Sequence, residues 1–165
     1  MRVLLSVMFC LVCTFAQAEV LLVRQVRDLY YKANENKKAA ERFYNTMQAM
    51  ADNEQPLFAG YRGVATMMRA KYGIDPFYKL SCFNRGKALL EQAIEQDPQN
   101  VELRFLRYCV QCQVPRILMY YDALGADKSA ILRALPQLKD DDLRQRIKDY
   151  VLNYSNDKEL YAAMR

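Results

Sequence analysis

The sequence predicts an all-α protein of about seven to eight helices, folded as antiparallel hairpins. Three observations lead there. Pro56, Pro76, Pro98, Pro115 and Pro136 recur about 20 residues apart, and each gap holds one helix and a turn. Only five glycines occur, and no apolar/polar alternation bounded by hairpin turns appears. Apolar residues instead recur at 3.6-residue spacing through most of the chain.

Residues 1–18 read as a secretory signal peptide. Arg2 supplies the charged end, Val3 to Phe15 the apolar stretch, and Ala16-Gln17-Ala18 the small-residue cleavage site. This stretch of thirteen residues falls short of the about 20 a membrane-spanning helix needs. Cleavage after Ala18 therefore predicts a chain of residues 19–165 in the periplasm or secreted, forming one helical domain. Without Arg2, 23 basic residues face 19 acidic ones. Over the whole chain that balance favours neither a nucleic-acid binder nor a polybasic membrane binder.

The helices follow in order. The first is expected over about 19–34, with Leu22, Val26, Leu29 and Ala33 inward. The second runs over about 37–52, with Ala40, Phe43, Met47 and Met50 inward. The third covers about Pro56–Tyr72. Leu57, Tyr61, Val64, Met68 and Tyr72 form its expected core stripe, and Ala59, Gly63, Thr66 and Ala70 a stripe of small residues. Glycine within a helix costs about 1 kcal/mol relative to alanine. Gly60 and Gly63 therefore need a reason: close approach of a neighbouring helix, which we favour, or the floor of a ligand groove.

Two long antiparallel helices then span Asp75 to Pro115 and meet at Asp97-Pro98-Gln99-Asn100. Asp75 caps the first, and Pro76 fits its first position because an amide hydrogen there would be orphaned. Cys82, Phe83, Gly86, Leu89, Leu90, Ala93 and Ile94 fall on one face. Pro98 ends that helix, and Asn100 caps the next, with Glu102 in its positively polarised first turn. Beyond Pro115, residues 117–124 suggest a short helix or turn. Helices are expected over 127–135 and 141–153, both with acidic starts, and over about 157–164.

Gly86, Leu90, Ala93 and Pro98 match the second half of a tetratricopeptide repeat (TPR): small, bulky apolar, small, proline. The preceding helix lacks the aromatic-Leu-Gly-Tyr pattern of that repeat, so the resemblance covers one helix and a turn. It implies a short TPR-like array. A wider stretch, about 55–135, resembles an uncharacterised family of exported all-helical bacterial proteins. The resemblance rests on Gly60-Tyr61-Arg62-Gly63, Pro76-Phe77-Tyr78-Lys79-Leu80, Gly86-Lys87, the Ala93-Ile94 to Asn100 turn, and Glu102 to Arg107 with Gln111 and Pro115. It implies fold and export and carries no activity.

Chemical motifs are sparse. With no histidine in the sequence, Ser-His-Asp and Cys-His catalysis, zinc-protease helices and imidazole metal sites are excluded. A paired-carboxylate hydrolase needs no histidine, but Glu91 and Glu95 lie on a polar helix face. Asp140-Asp141-Asp142 lacks calcium-loop spacing and suits a helix start. Cys109-Val110-Gln111-Cys112 is a CxxC, but it falls at a helix C-terminus, where the dipole opposes thiolate formation. We therefore expect no enzyme, cofactor or metal. Cys82 and Cys112 stand at matching levels on their antiparallel helices. A disulfide between them would close a loop of about 30 residues, worth about 3 kcal/mol; free buried thiols are the favoured alternative.

Function is best sought on the helix over 101–113. Arg104, Arg107 and Gln111 fall within about 60° on its wheel, at 100° per residue, and the rest is mostly apolar. The stripe is either solvated surface or the wall of an internal polar groove with carboxylates such as Glu91 or Glu95. Arg62, Arg69, Arg85 and Lys79 are candidates to join a basic wall. The leading expectation is a periplasmic module that binds another protein or peptide, monomeric, without nucleic-acid partner or membrane span. The alternative is a binder of a small anionic ligand in an arginine-lined groove.

Overall fold

The computed structural model describes residues 20–154 and 157–163; the expected signal peptide and its cleavage site lie outside them. The described residues are all-α, with eight helices and no strand. We number them α1 (20–32), α2 (Lys37–Ala49), α3 (Pro56–Tyr72), α4 (Pro76–Gln96), α5 (Val101–Gln113), α6 (Leu124–Ala134), α7 (Asp141–Tyr154) and α8 (Lys158–Ala163). Short 3-10 turns occupy Arg116–Leu118 and Leu135–Gln137. None of the described helices is long and apolar enough to cross a membrane.

The described residues divide into two compact units, one up to Phe43 and the other from Tyr44 onward, with the division inside α2. In the first, Val26, Tyr30, Ala33, Ala40 and Phe43 are buried. Tyr30 meets Phe43 at 6.0 Å between ring centres. Leu22 and Leu29 of the expected inner stripe are only half-buried, and Tyr30 and Arg27 are buried in their place.

The second unit is built on the α3–α4 hairpin, the closest helix packing in it. Its glycines set the distance. A Cβ on Gly63 would lie 2.7 Å from the Gly86 carbonyl oxygen and 2.9 Å from the Leu90 nitrogen. A Cβ on Gly86 would lie 2.9 Å from the Met67 nitrogen. Backbone thus meets backbone, and the glycines serve close approach. The same contact rolls α3 from the expected register. Phe58 and Met67 are core residues beside Tyr61 and Val64, whereas Leu57, Met68 and Tyr72 are half-buried.

Caps close the elements as their sequences dictate. Asp75 accepts from the Phe77 and Tyr78 amides at 3.3 and 2.8 Å. Asn100 Oδ1 accepts from the Glu102 and Leu103 amides, both at 3.1 Å. Asp140 accepts from the Leu143 amide at 3.0 Å and so caps α7. Each satisfies amides that a helix start leaves orphaned. α5 then packs against α3, α4 and α6. Its Phe105, Tyr108 and Cys109 enter an apolar core with Ile131, Leu143, Ile147, Tyr150 and Leu160 from α6, α7 and α8.

Candidate functional site: a charge network beneath the α5–α6 loop

α5 is buried around most of its circumference, so its polar residues have to be satisfied inside the protein. Arg107, 8 % exposed, reaches two carboxylates. Its Nε donates to Asp127 Oδ2 at 2.6 Å and its Nη2 to Asp127 Oδ1 at 2.8 Å, a two-pronged grip. Its Nη1 donates to Glu91 Oε2 at 2.5 Å. Arg104 adds a third donor to Asp127, Nη1 to Oδ1 at 3.0 Å, and anchors its Nε on the Pro98 carbonyl at 3.1 Å. Asp127 is fully buried.

Glu91 extends the network to the loop. Tyr120, itself buried, donates its hydroxyl to Glu91 Oε1. The Tyr120 ring sits edge-on to Phe83 at 5.8 Å, with Lys87 Nζ 4.8 Å from its centre. Phe83, Lys87 and Glu91 follow one another at four-residue steps along α4 and so share a face. The backbone turns Tyr120 inward through Met119, whose φ of 48° lies in the left-handed region. A non-glycine residue there carries a cost of about 1–3 kcal/mol. The buried hydroxyl and ring of Tyr120 offset it.

Electrostatics match the contacts. Burial by itself would lower the Arg107 pKa, but Asp127 and Glu91 hold it above the ordinary value. Burial, reinforced by the Glu91 carboxylate, pushes the Tyr120 phenol up and keeps it protonated as a donor. Two arginines face two carboxylates, so the charges balance. One polar atom stands apart: Gln111 Oε1, one turn beyond Arg107, is buried without a hydrogen-bond partner. A separate contact holds the start of α5, where Tyr61 donates to the buried Glu102 at 2.5 Å.

The structure thus brings Arg104, Arg107 and Gln111 to an internal polar stripe with Glu91 as one partner. It scatters the other candidates. Arg62 donates to the Ala51 carbonyl at 3.0 Å. Arg69 lies 4.3 Å from the Tyr44 ring centre and 5.5 Å from that of Tyr78. Lys79, Arg85 and Glu95 are exposed. Asp127 and Tyr120 were not among the expected site residues; the acidic start of the sixth helix was the one signal for Asp127.

Cys82, Cys109 and Cys112 are free thiols. Levels on the helices match, but direction does not. Cys112 lies about 140° around α5 from Arg107, the residue that meets α4, at 100° per residue. Its thiol faces Tyr108 and Tyr150. Cys112 is exposed rather than the buried thiol expected, but desolvation of its sulfur against these rings still pushes its pKa up, against a reactive thiolate. Among the described residues no group of acidic or cysteine side chains is gathered as a metal site. Asp142 instead pairs with Arg146 at 2.9 Å.

No protein-family model matches the chain, and neither a curated protein nor a solved structure matches it.

Proposed function

We propose that this is an exported helical module, freed of residues 1–18 and acting in the periplasm or outside the cell, that binds another protein or peptide. Its docking surface is the α5–α6 loop. The observation that carries this reading is the pairing of one buried anchor with three exposed apolar side chains. Tyr120 is fastened to Glu91 and Phe83, while Ile117, Met119 and Tyr121 around it are 87, 70 and 48 % exposed. Exposed apolar clusters mark interaction sites. A loop held in one conformation loses less freedom on binding than a mobile one. The TPR-like Gly86, Leu90, Ala93 and Pro98, and the resemblance to exported helical proteins, support the same reading.

The arginines then act as supports. Arg107 holds Asp127 and Glu91 in place, and Glu91 holds Tyr120. The balanced pairing of Arg104 and Arg107 weighs against a small anionic ligand, which would have to displace carboxylates already bound. A photo-crosslinking residue at position 117, in cells that make the protein, tests the proposal. The captured partner, once purified, is expected to bind the wild type and to lose at least about tenfold in affinity, about 1.4 kcal/mol, to an Ile117→Asp/Met119→Asp variant. A partner that binds this variant as tightly as the wild type would refute the assignment.

A further inference from the structure

The α3–α4 hairpin carries a second unusual surface, away from the charge network. Residues 74–81 are exposed without interruption. Ile74 is 97 % and Phe77 82 % exposed, with Leu80 at 47 %. The tip is firmly built. Gly73 leaves room for the Tyr78 ring, which would stand 2.7 Å from a Cβ there. Asp75 caps α4 through the Phe77 and Tyr78 amides. Ile74 and Phe77 are thus presented outward by a closed turn.

Charge along the hairpin sequence is one-sided. Between residues 55 and 90 the chain holds six basic residues, Arg62, Arg69, Lys71, Lys79, Arg85 and Lys87, and one acid, Asp75. That acid is engaged in the cap. Lys71, Lys79 and Arg85 are exposed. The near-neutral balance of the whole chain conceals this local excess.

We propose that the hairpin tip docks on an anionic lipid bilayer surface. Ile74, Phe77 and Leu80 enter the boundary between headgroups and acyl chains, and Lys71, Lys79 and Arg85 meet lipid phosphates. Apolar side chains backed by cations are the pattern of interfacial membrane binding. Charge complementarity points to a bilayer: the exposed cations Lys71, Lys79 and Arg85 accompany the projecting apolar side chains of Ile74, Phe77 and Leu80, and an anionic headgroup layer over acyl chains meets both. A deformable surface accommodates a projecting tip.

The test is co-sedimentation of the protein, purified after expression of the full chain and with its N-terminus determined, with vesicles of phosphatidylcholine alone or with phosphatidylglycerol added. The expected result is binding to the anionic vesicles, weakened by salt, and little binding to the neutral ones. Ile74→Asp/Phe77→Asp is expected to weaken partition at least about tenfold with no change in melting temperature, since neither side chain is packed. The charge-reversed Lys71→Glu/Lys79→Glu variant is expected to lose the preference for anionic lipid. Failure of the wild type to bind anionic vesicles, equal binding to both vesicle types, or full binding by the Ile74→Asp/Phe77→Asp variant would each overturn the proposal. So would binding of a polyglutamate peptide at the tip without vesicle binding, which would assign the surface to an acidic protein. Ile117→Asp/Met119→Asp is expected to leave vesicle binding intact, which separates this surface from the loop.

Discussion

Arg107 grips Asp127 with two parallel hydrogen bonds, Nε to Oδ2 at 2.6 Å and Nη2 to Oδ1 at 2.8 Å, inside the protein. Removing one partner strands the other. Asp127→Ala leaves Arg107 without its two-pronged acceptor and is expected to cost about 3–5 kcal/mol, the range for a broken buried ion pair. Arg104→Ala is expected to cost far less, because its side chain is 23 % exposed and Arg107 still holds Asp127. Urea denaturation of both variants checks the ordering. An Asp127→Ala variant as stable as Arg104→Ala would contradict the assigned network.

The hairpin glycines divide by what surrounds them. At Gly63 an added methyl meets backbone of α4 on two sides, so the helices themselves have to part. Gly63→Ala is expected to destabilise by about 1–3 kcal/mol despite the better helix propensity of alanine. At Gly60 the nearest atoms belong to side chains: the closest, a terminal methyl of Leu103, can turn away, and Leu90 and Ala93 stand at ordinary contact distances of 3.5 and 3.7 Å, so its alanine variant is expected to be milder. Gly125, with nothing within 4 Å, is expected to gain up to about 1 kcal/mol as alanine. Thermal denaturation of the three variants tests this order.

Helix boundaries were the most legible feature of the sequence, because their causes are local. Pro56 and Pro76 open helices at their first position, and the Asn100 cap lies one residue before Val101. The buried face of α4 was legible too, except that Leu89 is half-buried. The rotation of α3 was not, because it is set by Gly63 meeting Gly86, two residues far apart in sequence. Asp127 was misread for a related reason. An acid near a helix start looks like a partner for the dipole, and the helix was expected to begin there. α6 begins at Leu124 instead, and Asp127 turns inward to arginines 20 and 23 residues away. The polar stripe of Arg104, Arg107 and Gln111 was visible as a pattern. Which side of it was wet depended on packing that no local signal encodes.

Gln111 carries the one buried side-chain oxygen without a partner among the described residues. An unmade hydrogen bond on a buried group carries a desolvation cost of about 1–3 kcal/mol. Gln111→Met keeps the volume close and removes that acceptor. It is expected to leave stability unchanged or to raise it by about 1 kcal/mol. A loss of several kcal/mol in chemical denaturation would mean that the amide is a required part of the network.

Asp157 ties the start of α8 to its surroundings. It takes Lys128 Nζ at 2.8 Å, the Leu160 amide at 3.2 Å and the Tyr108 hydroxyl at 3.3 Å. Burial raises its pKa, but Lys128 and these donors outweigh burial and set it below the ordinary 3.8. A carboxyl held low in the folded state adds stability above its unfolded value and loses it as pH falls through the folded one. Hydrogen exchange around Leu160 is therefore expected to lose protection only below about pH 4. In Asp157→Asn that acid-dependent step is expected to vanish.

Tyr120 gives the opposite sign at the opposite end of the pH scale. Its phenol is buried and donates to a carboxylate, and burial first, then Glu91, raises its pKa above the ordinary 10.0. The unfolded chain releases this proton near pH 10, whereas the folded chain retains it. The contribution of Tyr120 is thus complete below pH 10 and declines as pH rises towards the folded value, by at most about 1.4 kcal/mol per pH unit. Tyr150, also raised by burial, adds a second decline of the same kind. Tyr120→Phe removes one of the two. It is expected to be less stable at neutral pH, by about 1 kcal/mol for the lost hydrogen bond, and to show a shallower loss between pH 10 and 11. Because Tyr120 fastens the loop, the same variant is also expected to expose residues 116–121 to faster hydrogen exchange at neutral pH. If the alkaline slope of Tyr120→Phe matches that of the wild type, the phenol is not buried against Glu91, and the anchoring of Ile117, Met119 and Tyr121 fails with it.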